Sequence, residues 1–441
     1  MLKIKVEKNY RGLLKYRWIV YALVVSVYFF VYFHRVAPAV MGQAFMKEWS
    51  LSGTTLGIMS SLYFLFYAAV QIPSGIFTDF IGPKKLIILS AMSIVIGSFL
   101  SYIAPTFTVL AVGRALIGAG AGLTFVPLAK ILRYWFRRRE FATMIGLNTS
   151  IGNVGAIFAS APLVAFMVLV GWRNIFLYIS IIILFLVAMI IKFVEDSPEK
   201  KGFPPIEQQE VNIVYKIDLK TTIAQGISIW LKNPTIFLLA IIIAICYGTL
   251  MGFEGLWAGP FLSNTYKMDN TTIGNFLLIT AVGMVIGQVS AGYLSDKVFK
   301  GKRKTPIIIG SILYAMNWML FLIVITSKQN LLLLKLLFFT FAITNSIATV
   351  PILGLVADLS PKNTYGTVAG IFNMSPFIGS TIFQGIMGNI LDKSKPIIEN
   401  GIKIFPIRGY LWAFTFCMVA ASLAAFLSVF IKEPTSVNIA K

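Results

Sequence analysis

Long apolar runs alternate with short polar breaks along almost the whole chain. Reading the runs against breaks that contain charged residues, Pro or Gly predicts twelve helical segments. We number them 1 to 12; they lie near residues 18–46, 52–78, 84–104, 107–134, 140–170, 173–194, 234–263, 271–297, 305–326, 330–358, 365–392 and 409–432. About 20 apolar residues cross a bilayer as a helix. The pattern therefore predicts an all-α membrane protein with twelve transmembrane helices.

One long polar stretch interrupts this alternation, between segments 6 and 7. It divides the predicted segments into two sets of six. We therefore predict an N-terminal six-helix bundle over residues 1–195, a cytoplasmic central loop over 196–232 and a C-terminal six-helix bundle over 233–441.

Composition and charge fit a protein embedded in lipid. Of the 441 residues, 57% are hydrophobic and only 12% are charged, against about 25% charged in soluble domains. The net charge of +21 could indicate nucleic acid, but the basic residues lie beside membrane segments. With both termini placed in the cytoplasm, 26 Lys and Arg fall inside, 8 outside and 4 within helices. The positive-inside rule then predicts cytoplasmic termini in a prokaryotic inner membrane, and no nucleic-acid partner is expected.

An internal repeat relates the two halves. At an offset of 217 the same residue type recurs at six positions: Thr54/Thr271, Thr55/Thr272, Gly57/Gly274, Gln71/Gln288, Gly75/Gly292 and Asp79/Asp296. Further on, an offset of 224 pairs Pro127/Pro351, Thr143/Thr367, Gly146/Gly370 and Gly155/Gly379. The repeat predicts two pseudo-symmetric bundles in the same orientation, an architecture in which transporters hold their solute at the interface near mid-membrane.

Two motifs point to a known family. The stretch "GIFTDFIGPKK" resembles the major facilitator superfamily signature G-x-x-x-D-x-x-G-x-[RK]-[RK], with Gly75, Asp79, Gly82, Lys84 and Lys85 at its fixed positions. "GRALIGAGAG" resembles the second signature of that family, an arginine followed by spaced glycines. With the twelve segments and the duplication, the chain is identified as a member of this superfamily, resembling its organic-anion and sugar-phosphate permease branch.

The resemblance implies a role for the first motif. In the family this cluster is a cytoplasmic latch that favours the outward-open state; the alternative is a solvated loop with a helix-terminal acid. The repeat supplies a second copy at Gly292 and Asp296. There the following glycine, Gly301, is displaced by two residues, so the first copy is the better candidate for the working latch.

Candidate solute-binding residues are the charged groups inside apolar runs. His34 and Arg35 lie within segment 1. A charge inside a membrane helix costs at least about 2.5–3.5 kcal/mol and usually faces a cavity or a partner. The guanidinium of Arg35 suits a carboxylate or a phosphate, and some carriers of the family use a first-helix arginine in this way. The alternatives are a snorkelling or structural arginine. For His34, packing or hydrogen bonding is favoured over proton transfer.

Glu254 is the one acid well inside an apolar run, and it lies on segment 7 between glycines that allow a local helix break. A buried carboxyl group can load and release a proton; the alternative is a fixed salt bridge to Arg35 or another cation. The 217 offset aligns Arg35 with Gly252 rather than Glu254, so the sequence does not show that they share a face. One arginine with one carboxylate suits a zwitterion as well as an anion.

Arg114 on segment 4 is the second proton-coupling candidate, because the family resemblance links this arginine to coupling; the alternative is a structural cation. Its counterpart in the repeat is Phe338.

The combined prediction is a secondary active transporter for a small anionic or zwitterionic organic solute. It is expected to be proton-coupled and monomeric and to work by alternating access in the lipid bilayer. No cofactor is expected, and the lone histidine and scattered acids show neither metal-ligand spacing nor a catalytic triad. The alternatives are a multidrug or metabolite efflux antiporter and a non-transporting solute sensor of the same fold. An enzyme is not expected.

Overall fold

The computed structural model describes residues 2–137, 139–206, 228, 232–327, 330–360, 365–399 and 402–433. Most of the predicted central loop, residues 207–227 and 229–231, lies outside these ranges. The described chain is almost entirely helical, which confirms the predicted fold class.

The first half contains segments 1 to 6. Its helices are Leu2–Val36 and Pro38–Trp49 (segment 1), Gly53–Ala69 and Gln71–Ile81 (2), Pro83–Ile103 (3), Phe107–Gly122 and Phe125–Trp135 (4), Phe141–Phe158 with the start of Ala161–Phe193 (5), and the rest of Ala161–Phe193 (6). Gly171, at φ 77°, breaks the last helix and separates segments 5 and 6. The first helix begins at Leu2, well before the predicted residue 18.

The second half contains segments 7 to 12. Its helices are Pro234–Gly252, the π-helix Phe253–Trp257 and Ala258–Tyr266 (segment 7), Asn270–Tyr293 and the π-helix Leu294–Val298 (8), Lys304–Ser327 (9), Leu331–Leu359 (10), Tyr365–Phe372 and Ser375–Lys393 (11), and Ile407–Val429 (12). A short antiparallel hairpin, β1 (Ile397–Glu399) and β2 (Ile402–Ile404), joins segments 11 and 12.

Nine described spans, three of them runs of consecutive helices, are long and apolar enough to cross a membrane, and the pair of helices that forms segment 2, bent by 47°, makes a tenth span. Segments 5 and 11 complete the twelve, with main helices of 18 and 19 residues. Several segments begin at a polar cap: Ser52, Asn233, Asp269 and Asn330 each accept a hydrogen bond from a first-turn N–H, which satisfies donors that the helix cannot.

The two halves repeat the same internal packing. Segment 4 contacts segments 2 and 3, segment 6 contacts segment 3, and segment 5 contacts segment 1. The corresponding pairs of the second half, 10 with 8 and 9, 12 with 9, and 11 with 7, are also in contact. Between the halves, segment 2 packs on segment 11 and segment 5 on segment 8.

We call the two ends of the bundle the termini face, which holds Leu2 and the end of segment 12, and the hairpin face, which holds β1 and β2. The halves pack tightly toward the hairpin face. A Cβ added to Gly57 would lie 2.6 Å from the Gln384 carbonyl oxygen, and one added to Gly274 would lie 2.8 Å from the Ala161 Cα. Such approaches are possible only for glycine.

Packing is looser toward the termini face. Four glycines there, on the segments that pair across the interface, have no atom within 4 Å of the place of a Cβ: Gly75, Gly146, Gly292 and Gly370. They are two pairs of repeat equivalents. The ion pairs described on this face, such as Asp79–Lys130 and Arg303–Asp296, lie within one half.

Candidate functional site

A turn of π-helix interrupts segment 7 where the glycines predict a break. The π-helix Phe253–Trp257 carries Glu254 and follows directly on the α-helix that ends at Gly252. Such turns insert a residue into a helix and are frequent at functional sites. The insertion places the Glu254 carboxyl group toward the space between the halves.

A narrow cavity lies between the halves at this level. It is lined from the first half by Tyr32, Arg35, Val36, Asn153 and Ala156, and from the second half by Tyr247, Met251, Glu254, Ala281 and Met284. Its volume is about 10 Å³, enough for about one water molecule. Arg35 and Glu254 therefore share one cavity, which must widen to admit an organic solute.

Arg35 is a buried cation that lines this cavity. Its side chain is 6% exposed, Nη1 donates to the Tyr247 hydroxyl at 3.1 Å, and Nε has no partner. The guanidinium lies over the rings of Tyr32, Phe377 and Tyr67 at 4.3, 5.3 and 5.5 Å. Within the described chain no acid comes within 4 Å of it. Aromatic faces offset part of the cost of a buried cation, and hydrogen-bonding capacity remains for an anion.

Glu254 likewise has no ion-pair partner in the part of the chain that the structure describes. It is 3% exposed and its Oε2 has no hydrogen-bond partner. The fixed salt bridge considered as an alternative is not formed: among the described residues, neither Arg35 nor another cation lies within 4 Å of this carboxyl group.

The 217 offset of the repeat does not extend to segment 7. The repeat equivalents Gly155 and Gly379 make the same backbone approach: an added Cβ would clash with the Phe29 carbonyl oxygen in the first half and with the Ala244 carbonyl oxygen in the second, an offset of 215. At this offset Arg35 corresponds to Leu250 rather than Gly252, because the second half has two more residues than the first between this point and segment 8.

His34 and Arg114 lie together inside the first half, away from the cavity lining. The His34 ring stacks on Phe176 and its Nε2 lies 3.3 Å from the Ser98 hydroxyl. Arg114 donates from Nη1 to the His34 carbonyl oxygen at 2.9 Å and lies 4.9 Å over the Tyr63 ring.

Sequence reasoning missed the aromatic and amide groups of the site. Tyr32 lies one turn before Arg35, so helical spacing could have found it. Asn153 donates to Gln288 at 2.9 Å and links segments 5 and 8; Gln288 was singled out only as a repeat position. Tyr247 has no signal in the sequence, because an apolar helix with one tyrosine is common.

The signature motif builds an ion-pair cluster on the termini face. Asp79 pairs with Lys130 of segment 4 at 2.6 Å, a partner that the motif does not predict. Lys84 pairs through Nζ with Glu195 at 2.8 Å, and its N–H donates to Asp196 at 2.8 Å. Asp196 thus caps segment 3, and Lys85 is exposed.

Gly82, at φ 90°, makes the turn into segment 3. Gly301, at φ 79°, makes the corresponding turn into segment 9, and the π-helix Leu294–Val298 absorbs the displacement of the second copy. Arg303 then reaches Asp296 at 2.6 Å, and Glu433 accepts the Arg303 N–H as Asp196 accepts that of Lys84. Both copies therefore share the glycine turn and the capping acid, but Asp296 pairs with Arg303 of its own loop where Asp79 pairs with Lys130 of segment 4.

Comparisons with known proteins agree with this architecture. The chain is 23% identical over 388 residues to a probable sulfoacetate transporter of Cupriavidus necator, covering 86% of this chain and 89% of that one. It is 23% identical to the glycerol-3-phosphate transporter of Bacillus subtilis, covering 79% and 80%.

A solved structure has the same fold. It is a bacterial homologue of the human lysosomal transporter Spinster in an inward-facing, unoccupied conformation. That structure matches with a TM-score of 0.74 and 17% identity, covering 94% of this chain and 97% of that one. The sequence model of the Major Facilitator Superfamily matches residues 24–384. The chain therefore belongs to the major facilitator superfamily, a family of multi-pass membrane transporters.

Proposed function

We propose that this protein is a secondary active transporter for a small organic anion, which it binds at Arg35 and moves by alternating access. The observation that carries the proposal is a buried guanidinium, in a cavity between the two halves, that pairs with no carboxylate of the described residues. Keeping a cation there costs free energy, and a ligand that neutralises it recovers that cost. Relatives named as transporters of sulfoacetate and glycerol 3-phosphate support an anionic substrate.

The rest of the lining limits the body of the substrate. Five of the ten lining residues are apolar: Val36, Ala156, Met251, Ala281 and Met284. Hydroxyl groups buried against such side chains lose hydrogen bonds to water without replacement. We therefore propose a short carboxylate, sulfonate or phosphate with few hydroxyl groups.

Glu254 fits two roles in this proposal. As the proton-coupling residue it takes up a proton on one side of the membrane and releases it on the other. As a second binding residue it contacts an ammonium group, which makes the substrate a zwitterion. Its place in the same cavity as Arg35, without a protein partner for Oε2, supports both roles and favours neither.

The unequal packing of the two faces supports alternating access. The halves approach closely at the hairpin face, whereas the glycines of the termini face have open space. With cytoplasmic termini this is an inward-facing state. Asp79 with Lys130 would then belong to the latch that stabilises the opposite state when the termini face closes.

Proton coupling, the inner-membrane location and the monomeric state are parts of the same proposal.

Arg114 and His34 are proposed as supports of this site. Arg114 is bonded to the backbone of His34, next to Arg35 in the chain, so it fixes the segment that presents the anion-binding guanidinium. The ring contacts of His34 support a packing and hydrogen-bonding role.

Competition for uptake into proteoliposomes tests the substrate class. Labelled sulfoacetate is offered with acetate, glycerol 3-phosphate, galactonate and a short amino sulfonate as competitors. We expect strong competition by short anions and weak competition by galactonate. Equal competition by galactonate would refute the apolar-body argument, and a ligand that binds but never accumulates would indicate a sensor. Accumulation of uncharged drugs instead would favour the efflux antiporter.

A further inference from the structure

Asp392, near the end of segment 11, caps a helix of the other half. Its carboxylate accepts hydrogen bonds from the N–H groups of Gly53 and Thr54, each at 2.7 Å, and from the Thr54 hydroxyl at 2.6 Å. These donors form the first turn of segment 2. The first N–H groups of a helix have no partner within the helix and carry partial positive charge, so a carboxylate there is strongly held.

The same contact brings the two backbones together on the hairpin face. A Cβ added to Gly53 would lie 2.8 Å from the Gly388 carbonyl oxygen, and one added to Gly57 would meet Gln384. One turn deeper, the Ser61 hydroxyl donates to the Thr381 carbonyl oxygen at 2.9 Å. Segments 2 and 11 cannot separate here without breaking the Asp392 bonds.

The repeat shows that this cap is unusual. Segment 8, the equivalent of segment 2, is capped by its own Asp269, which accepts from the Thr271 N–H and the Thr272 hydroxyl. At the 217 offset, Asp269 corresponds to Ser52. Ser52 accepts the Thr55 N–H at 3.0 Å and shares a hydrogen bond with the Thr55 hydroxyl at 2.8 Å, so it caps the helix without a charge. In the first half, therefore, the acid at the start of the helix comes from the opposite half.

We propose that Asp392 is a positioning residue of the transport cycle, a latch that holds the hairpin face closed by capping segment 2 from the other half. The cap is complete only while the halves are together on this face. Opening the face returns both the carboxylate and the two N–H groups to water, so the latch favours the state described here. The inference rests on alternating access, which is part of the proposed function.

Distances between spin labels test the latch. One pair, on exposed Thr106 and Ser327, reports the hairpin face, and a second pair, on exposed Glu199 and Lys432, reports the termini face; the two buried native cysteines are replaced by alanine. In Asp392→Asn we expect the ratio of open to closed hairpin face to rise at least about tenfold, because hydrogen bonds to a charged group are lost. The termini-face pair should shorten in parallel.

A double variant separates the latch from simple helix capping. Ser52→Asp with Asp392→Asn supplies the acid within the same half, as Asp269 does. We expect it to regain the thermal stability of the unsubstituted protein while the hairpin face stays open. Wild-type distances in the double variant, or in a folded Asp392→Asn, would overturn the latch. If Asp392→Asn alone does not fold, the hairpin-face distance in the double variant tests the latch. A wild-type protein that shows one distance under every solute and pH condition would instead refute alternating access.

Discussion

Replacement of Arg35 by lysine separates the geometry of the guanidinium from its charge. Lysine keeps the positive charge but loses the planar fork that binds two oxygens of an anion at once, and it loses stacking on Tyr32. A hydrogen bond to a charged group contributes about 1.5–3 kcal/mol, so losing one weakens binding by about 10- to 150-fold. We take about 30-fold as the expected loss of affinity.

The folded protein should tolerate this change. Arg35 donates to a neutral hydroxyl, that of Tyr247, and pairs with no acid among the described residues, so its removal leaves no described carboxylate without its partner. The insertion cost of an intramembrane cation is about 2.5–3.5 kcal/mol, and each nearby ring offsets about 0.5–1 kcal/mol. The cost of the buried charge and the attraction of the three aromatic rings therefore nearly cancel in the free energy of unfolding. We therefore expect Arg35→Lys and Arg35→Gln to unfold within a few degrees of the unsubstituted protein.

Ligand-induced thermal stabilisation measures the effect. A ligand at 100 times its Kd stabilises the folded state by about 2.7 kcal/mol. With affinity weakened about 30-fold, the same concentration adds only about 0.9 kcal/mol. Lys335→Gln is the matched control, because Lys335 is an exposed cation of segment 10 outside the cavity lining. An unchanged ligand-induced shift in Arg35→Lys would refute the assignment of Arg35 as the anion anchor.

Three further substitutions test other parts of the account. Glu254→Gln should abolish accumulation driven by a pH gradient but retain solute exchange, measured in proteoliposomes; normal accumulation would remove Glu254 from coupling. Gly57→Leu should open the hairpin face, because its side chain would meet the backbone of Gln384; the distance between spin labels on Thr106 and Ser327 should rise, and an unchanged distance would contradict the packing argument. Lys130→Met should slow transport as much as Asp79→Asn does, with no further loss in the double variant; additive losses would show that the two residues act separately.

The fold could be predicted from the sequence because the patterns that indicate it extend over many residues. Twelve apolar runs, a polar divide and a repeated Gly75–Asp79 element each extend over many residues, so errors of a few residues at helix ends do not change the result. The start of the first helix at Leu2 shows where such reasoning is weak. A polar, basic extension of a membrane helix carries no hydrophobic signal.

The site was predictable only in part because it depends on rotation about helix axes. Arg35 and Glu254 stand out as charges in apolar runs, but a π-turn and a two-residue difference between the halves decide that they share a cavity. Neither feature can be read from residue types. The pairing of Asp392 with Gly53 joins residues more than 300 positions apart. The repeat does not reveal it, because the position equivalent to the capping residue Asp269 is Ser52, which is not an acid.

Uptake of labelled sulfoacetate into proteoliposomes, compared between the unsubstituted protein and Arg35→Gln, tests the central claim most directly. The account predicts that the unsubstituted protein accumulates this short anion above its external concentration. It also predicts that Arg35→Gln, although folded, shows no uptake above that of empty vesicles. Equal accumulation by both proteins would contradict the claim that this cavity and its unpaired guanidinium bind the transported solute.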